Sequence, residues 1–148
     1  MNINENHKAA VERIFKNYLG GVLRLVGHSG ETKESELERL GKYLFGDVFL
    51  GVFAKDEISG LKLKPGQMYI VNTLPRSTGG EHWMGVYGST QGDLLFDSFA
   101  RDKTIFPGWR GLRTEPDVDQ LIQQKDCGQR TLAFLATAFV LGDLAYWV

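Results

Sequence analysis

Gln123-Gln124-Lys125-Asp126-Cys127-Gly128 runs directly into Thr131-Leu132-Ala133-Phe134-Leu135-Ala136, and this junction of a polar approach with an apolar segment decides how the chain is read. The apolar segment predicts a buried helix. Asp126 stands where its cap belongs, with a side-chain oxygen expected to accept an N–H of the first turn, and Gly142 closes the other end. Cys127, the only cysteine among 148 residues, falls at the helix start. Unpaired N–H groups and the positive end of the helix dipole favour a thiolate there, which predicts a low-pKa candidate nucleophile. A lone cysteine is also a good small hydrophobe, so the weight falls on what lies upstream.

Upstream, three short apolar runs read as strands: Met68-Tyr69-Ile70-Val71, Trp83-Met84-Gly85-Val86-Tyr87 and Leu94-Leu95-Phe96. Breakers separate them, Pro75 to Gly80 before the second and Gly88 to Gly92 before the third, a spacing that predicts neighbouring antiparallel strands. Arg101 to Asp117, with Pro107-Gly108, Gly111 and Pro116, reads as irregular, and a further strand from about Val118 to Gln123 would lead into the Cys127 helix.

His82 begins one of these strands and Asp97 ends the next, fifteen positions later. Antiparallel pairing through Ser89-Thr90-Gln91-Gly92 brings both to the same end of the sheet. A carboxylate that accepts from one imidazole nitrogen fixes the tautomer and stabilises the imidazolium, while the other nitrogen takes the proton of a thiol. Cys127, on a helix packed against that sheet, completes a set of nucleophile, base and orienter. Trp83, beside the histidine, is expected to shield the site with its backbone, not its ring N–H, near the reacting carbonyl.

At the other end of the chain, Val11, Ile14, Phe15, Tyr18 and Leu19 recur at helical spacing up to Gly20-Gly21, predicting an amphipathic helix that stops there. Ser35-Glu36-Leu37-Glu38 has the form of a capping box, followed by Leu40 and Leu44 on one side of a second helix. His7 and His28 read as solvated, since neither has ligand-spaced partners, and no metal motif is present. The expected fold is α+β, one domain over residues 1–148: a short mixed or antiparallel sheet against a central helix that bears the nucleophile, with N-terminal helices.

Seventeen basic and eighteen acidic side chains leave a net charge of −1, so no whole-protein field draws the chain to nucleic acid or an anionic membrane. The N-terminus lacks the basic and apolar regions of a signal peptide. The longest apolar run, around Leu132 to Leu141, is too short to span a bilayer, so the expectation is a protein neither secreted nor membrane-spanning. A single cysteine fits a reducing compartment.

In three blocks the residues resemble the adenovirus-type viral maturation cysteine proteases, the adenain-like family, which share their papain-like fold with the ubiquitin-like-protein-specific proteases. Phe49-Leu50-Gly51-Val52-Phe53-Ala54-Lys55, Ile70-Val71-Asn72-Thr73 and Thr78-Gly79-Gly80-Glu81-His82-Trp83-Met84 resemble that family's approach to its histidine, and Leu95-Phe96-Asp97-Ser98-Phe99 its acidic strand. Gln-x-x-x-Cys-Gly with its apolar helix resembles the nucleophile block, and the likeness extends from about Leu37 to Leu141. The resemblance implies a viral endopeptidase in which His82 is the general base, Asp97 the orienting acid and Cys127 the nucleophile. A glutamine before the cysteine would supply an oxyanion-hole donor; Gln123 and Gln124 are both eligible, and Ile122-Gln123 better resembles the family's apolar-Gln pair. It implies as partners the capsid or core precursor polypeptides of a virus, cut at small-residue, Gly-containing sites, and as location the virion and the infected host cell.

The sequence departs from that family in three respects. It is shorter beyond the nucleophile helix. It has no second cysteine to bind an activating peptide through a disulfide, and its charge is near neutral where the DNA-dependent enzymes are basic. No cofactor is required by the residues themselves, and activation by a peptide or by DNA enters through the resemblance alone. Two alternatives share the fold: an isopeptidase that removes ubiquitin-like modifiers, and a catalytically silent binding module.

Overall fold

The computed structural model describes residues 3–58, 60–72, 83–90, 92–96, 113–114 and 126–147. It is α+β, with three helices and a mixed sheet. Helix α1 spans Ile3–Val26 and α2 spans Glu34–Phe45; strands β1 (Phe49–Ala54), β2 (Met68–Asn72), β3 (Trp83–Tyr87), β4 (Leu94–Phe96) and β5 (Arg113–Thr114) follow, and then α3, Cys127–Leu141. The sheet order is β1-β2-β3-β4-β5, with β2, β3 and β4 antiparallel to one another and each outer strand parallel to its neighbour. The three strands and the antiparallel pairing read from the sequence are all present. β5 corrects the reading of Arg101 to Asp117 as wholly irregular: two residues are too few to show a periodicity, and they pair with Leu94 and Leu95. The strand expected at Val118 to Gln123 lies outside the described residues.

Strands β2 and β3 are buried on both faces, which is why they read as unbroken apolar runs. Alternation divides their side chains. Met68, Ile70, Trp83, Tyr87, Leu94 and Phe96 face the helices, while Tyr69, Val71, Met84, Val86 and Leu95 form a second cluster on the opposite face. Phe96 stacks on Phe134 of α3 with ring centroids 4.9 Å apart and 8° between planes, and Phe15 of α1 lies 5.9 Å from Phe96. Gly85 lets α3 approach β3 closely: a Cβ there would sit 3.1 Å from the Thr131 methyl and 3.4 Å from Leu135.

Helix α1 does not stop at Gly20-Gly21 but continues to Val26, where Gly27, at φ 88°, caps it by donating its N–H to the Leu23 carbonyl. Glycine in a helix interior costs about 1 kcal/mol, and burial of Val22 at 6 % exposure returns roughly 1.5–3 kcal/mol. Packing therefore outweighs the local breaker. The second helix also starts earlier than Ser35. Lys33 is its N-cap, and it is the Glu36 carboxylate, not that of Glu38, that accepts the cap N–H at 3.1 Å. Glu38 serves the sheet instead: its carboxylate accepts the Val52 N–H at 2.8 Å across the bulge in β1, where Gly51 adopts φ 137°. Gly142, as expected, ends α3, its N–H donating to Ala138.

Candidate functional site

Cys127 is the first residue of α3 and is 5 % exposed, in the helix-facing core. Its Sγ accepts the backbone N–H of Trp83 at 3.5 Å. Trp83 is the first described residue of β3, and that nitrogen is its peptide link to His82. Two more bonds fix Trp83: its carbonyl accepts from the Thr131 hydroxyl at 3.2 Å, and its indole Nε1–H donates to the Thr32 carbonyl at 3.1 Å. The backbone of Trp83 thus meets the thiol while its ring N–H is engaged with Thr32.

Burial pushes the Cys127 thiol up from its ordinary pKa. The N–H groups of Trp83, Gly128 and Cys127 itself pull it down, and the Asp126 carboxylate pushes it further up. Burial thus corrects the part of the low-pKa expectation that rests on the helix start, while the expected pairing with His82 lies outside the described residues. A helix-terminus charge effect amounts to about 0.3–1 kcal/mol when exposed, whereas desolvation of a buried group moves its pKa by up to 3–5 units. Asp126 holds the N-cap position but makes no side-chain cap bond. Its carboxylate instead accepts from Arg130 Nε at 3.0 Å, one turn on, and only its backbone oxygen joins the helix, accepting the Arg130 N–H. That second correction has a simple cause, since a guanidinium is a stronger partner for a buried carboxylate than a neutral amide.

The loop between α1 and α2 closes over the start of α3. Gln129, wholly buried, donates both amide hydrogens to that loop, to the His28 carbonyl at 2.9 Å and the Gly30 carbonyl at 3.0 Å. Thr32 packs so tightly against Gly128 that a Cβ there would collide with Thr32 Oγ1 and press on Leu37. Glycine after Cys127 is thus a requirement of the packing. The His28 side chain is exposed as read, although it pairs with Glu36 at 3.3 Å and accepts the Gly30 N–H at Nδ1. His7 is exposed too.

His82, Asp97, Gln123 and Gln124 lie outside the described residues. Of the sequence-derived set, the structure therefore positions Cys127 alone, together with the residues that adjoin His82 and Asp97 in the chain, Trp83 and Phe96. The sequence reading missed Thr32, Gln129 and Thr131. One signal was available: Gln129 is a polar residue in the first turn of a largely apolar helix. Among the described residues no helix is long and apolar enough to cross a membrane, and no group of three or more His, Cys, Asp or Glu side chains is placed to hold a metal ion. No protein-family model matches the chain, and no curated protein matches it either.

Proposed function

We propose that this chain is a papain-like cysteine endopeptidase of the adenain type, with Cys127 as nucleophile, His82 as general base and Asp97 as orienting acid. One observation carries the reading: a buried thiol at the start of the central helix touches the backbone N–H of the residue that follows His82. The α+β layering, with α3 laid on the strand that begins at Trp83, supports it.

Because burial holds the thiol above its ordinary pKa, it rests protonated, and catalysis follows the general-base route. His82 takes the thiol proton as sulfur attacks the scissile carbonyl carbon, so the C–S bond forms while the carbonyl π pair moves to oxygen. The resulting oxyanion is stabilised by the Cys127 N–H and by the side chain of Gln123 or Gln124. The C–N bond then breaks, the amine leaving with the proton from the imidazolium, and water hydrolyses the thioester by the same base. Asp97 keeps the imidazole in the productive tautomer and balances its charge.

By the resemblance, the substrates are capsid or core precursor polypeptides of a virus, cut at small-residue, Gly-containing sites in the virion or the infected host cell. Mass spectrometry of such precursors incubated with the protein tests this, with Cys127→Ala as control. Cleavage in the wild type alone supports the reading. Release of a reporter from a ubiquitin-like C-terminus with no precursor cleavage would replace it with an isopeptidase, and silence on both, with a thiol no more reactive than free cysteine, would leave a binding module.

A further inference from the structure

Gln129 is a residue that the proposed chemistry does not use, yet it is buried completely and spends both its donors on the α1–α2 loop. Burying a primary amide is costly unless it is hydrogen-bonded, and among the described residues neither its Oε1 nor the neighbouring Thr32 Oγ1 has a hydrogen-bond partner. For packing alone, an apolar side chain of the same size would serve better. What the amide does is fix two carbonyls, those of His28 and Gly30, at the very loop whose Thr32 carbonyl holds the indole of Trp83. Trp83 in turn presents its N–H to the thiol and its carbonyl to Thr131. These bonds link the α1–α2 loop, β3 and α3, elements far apart in sequence, and converge on one sulfur.

We propose that Gln129 is a positioning residue: through the α1–α2 loop and the indole of Trp83 it holds the Trp83 N–H on Cys127 and so stabilises the thiolate when it forms. The inference rests on the protease reading only for what the thiol is used for. Among the described residues Asp126, held by Arg130, is the charged group that acts on the same sulfur, and neither substitution below touches it.

The test is the pH profile of Cys127 alkylation by iodoacetamide in the full chain, for wild type, Gln129→Met and Trp83→Phe, with thermal melting to confirm folding. Methionine keeps the length of glutamine without its donors, and phenylalanine removes the indole N–H. A hydrogen bond to a charged group lost from the thiolate should move the midpoint up by about one pH unit, slowing alkylation roughly tenfold below it. The double variant should match the singles, because both cut one chain of contacts. Thr137→Val, which deletes a buried hydroxyl bonded within α3 to Ala133, should lower the melting temperature and leave the midpoint in place. An unmoved midpoint in both variants overturns the inference, as does a lower midpoint with a faster plateau, which would make the loop a mere shield. If Gln129→Met does not fold, Trp83→Phe decides. The readout needs no peptide: a shifted midpoint without precursor cleavage sinks only the protease reading, and cleavage with an unmoved midpoint sinks only the positioning role.

Discussion

The backbone N–H of Trp83 donates to the Cys127 thiol across 3.5 Å, tying the first residue of β3 to the first residue of α3. This contact makes the thiol a part of the sheet–helix junction as well as of the helix start. Among the described groups, burial and the Asp126 carboxylate favour the neutral thiol, three backbone N–H groups favour the thiolate, and burial is the largest of these influences.

From that balance follows the first prediction. In the absence of substrate, Cys127 should be protonated at neutral pH, with an alkylation midpoint above the free-cysteine value of about 8.5. On the protease reading, His82→Ala should abolish peptide cleavage while leaving the protein folded, because the base would act only as the thiol attacks. A solvent-accessible, fully ionised thiolate at pH 6 in the wild type would show instead a resting ion pair, and the general-base route would be wrong.

The second prediction concerns Gly128. Gly128→Ala places a methyl against Thr32 Oγ1, and overpacking of this kind costs about 1–3 kcal/mol. Thr32→Ala removes the colliding oxygen, itself a buried atom with no hydrogen-bond partner among the described residues, so alone it should be nearly neutral. Combined with Gly128→Ala it should recover much of the lost stability. Denaturant titration of the two single variants and the double variant measures this coupling, and strict additivity would refute the contact.

Much of the fold was legible because the signals were local. Apolar runs bounded by glycine and proline mark β2, β3 and β4, and Gly142 marks the end of α3. Where the reading failed, a distant partner had outweighed a local preference. Val22 and the rest of the buried face carry α1 through Gly20-Gly21; Glu38 serves β1 instead of its own helix; Asp126 answers Arg130. The helix start beneath the thiol is visible in the sequence and the depth of its burial is not, so the helix start alone overstates the thiolate. Likewise the bonds from Gln129 to His28 and Gly30 span about a hundred residues, and no spacing rule reaches that far. Of the candidate site, the place of Cys127 at a helix start was legible from the junction at Asp126-Cys127-Gly128 alone.

A third prediction follows from the far face of the sheet. Tyr69 is 4 % exposed, its hydroxyl pushed up to about 12 by burial and then by the charge of Asp93. Its ordinary value is 10.0, so the unfolded chain loses the phenolic proton first as pH rises. Stability that is intact below pH 10 must therefore fall between about 10 and 12, by an amount on the order of 2–3 kcal/mol. Tyr69→Phe should flatten that part of the alkaline limb, although Tyr87, also raised by burial, keeps some slope. An unchanged limb in Tyr69→Phe would mean that the phenol is not shielded from water.

The last prediction separates the two glutamines. On the protease reading the tetrahedral intermediate places negative charge on the former carbonyl oxygen, and the Cys127 N–H at the start of α3 supplies one donor. A second donor from a side chain is worth roughly 3 kcal/mol. If the strand expected from Val118 persists to Gln123 and Gln124, the two would point to opposite sides, and only one of them would carry the role. Replacing the donor by Ala should lower kcat on the order of a hundredfold or more. Thiol alkylation should stay nearly intact, because no oxyanion forms in that reaction, and the other Ala variant should be close to wild type. Turnover of a precursor peptide by the two single variants, set beside their alkylation rates, decides the matter. Small and equal losses in both would assign the oxyanion to backbone N–H groups alone, with the donors gathered at the thiol, those of Cys127, Gly128 and Trp83, as the candidates.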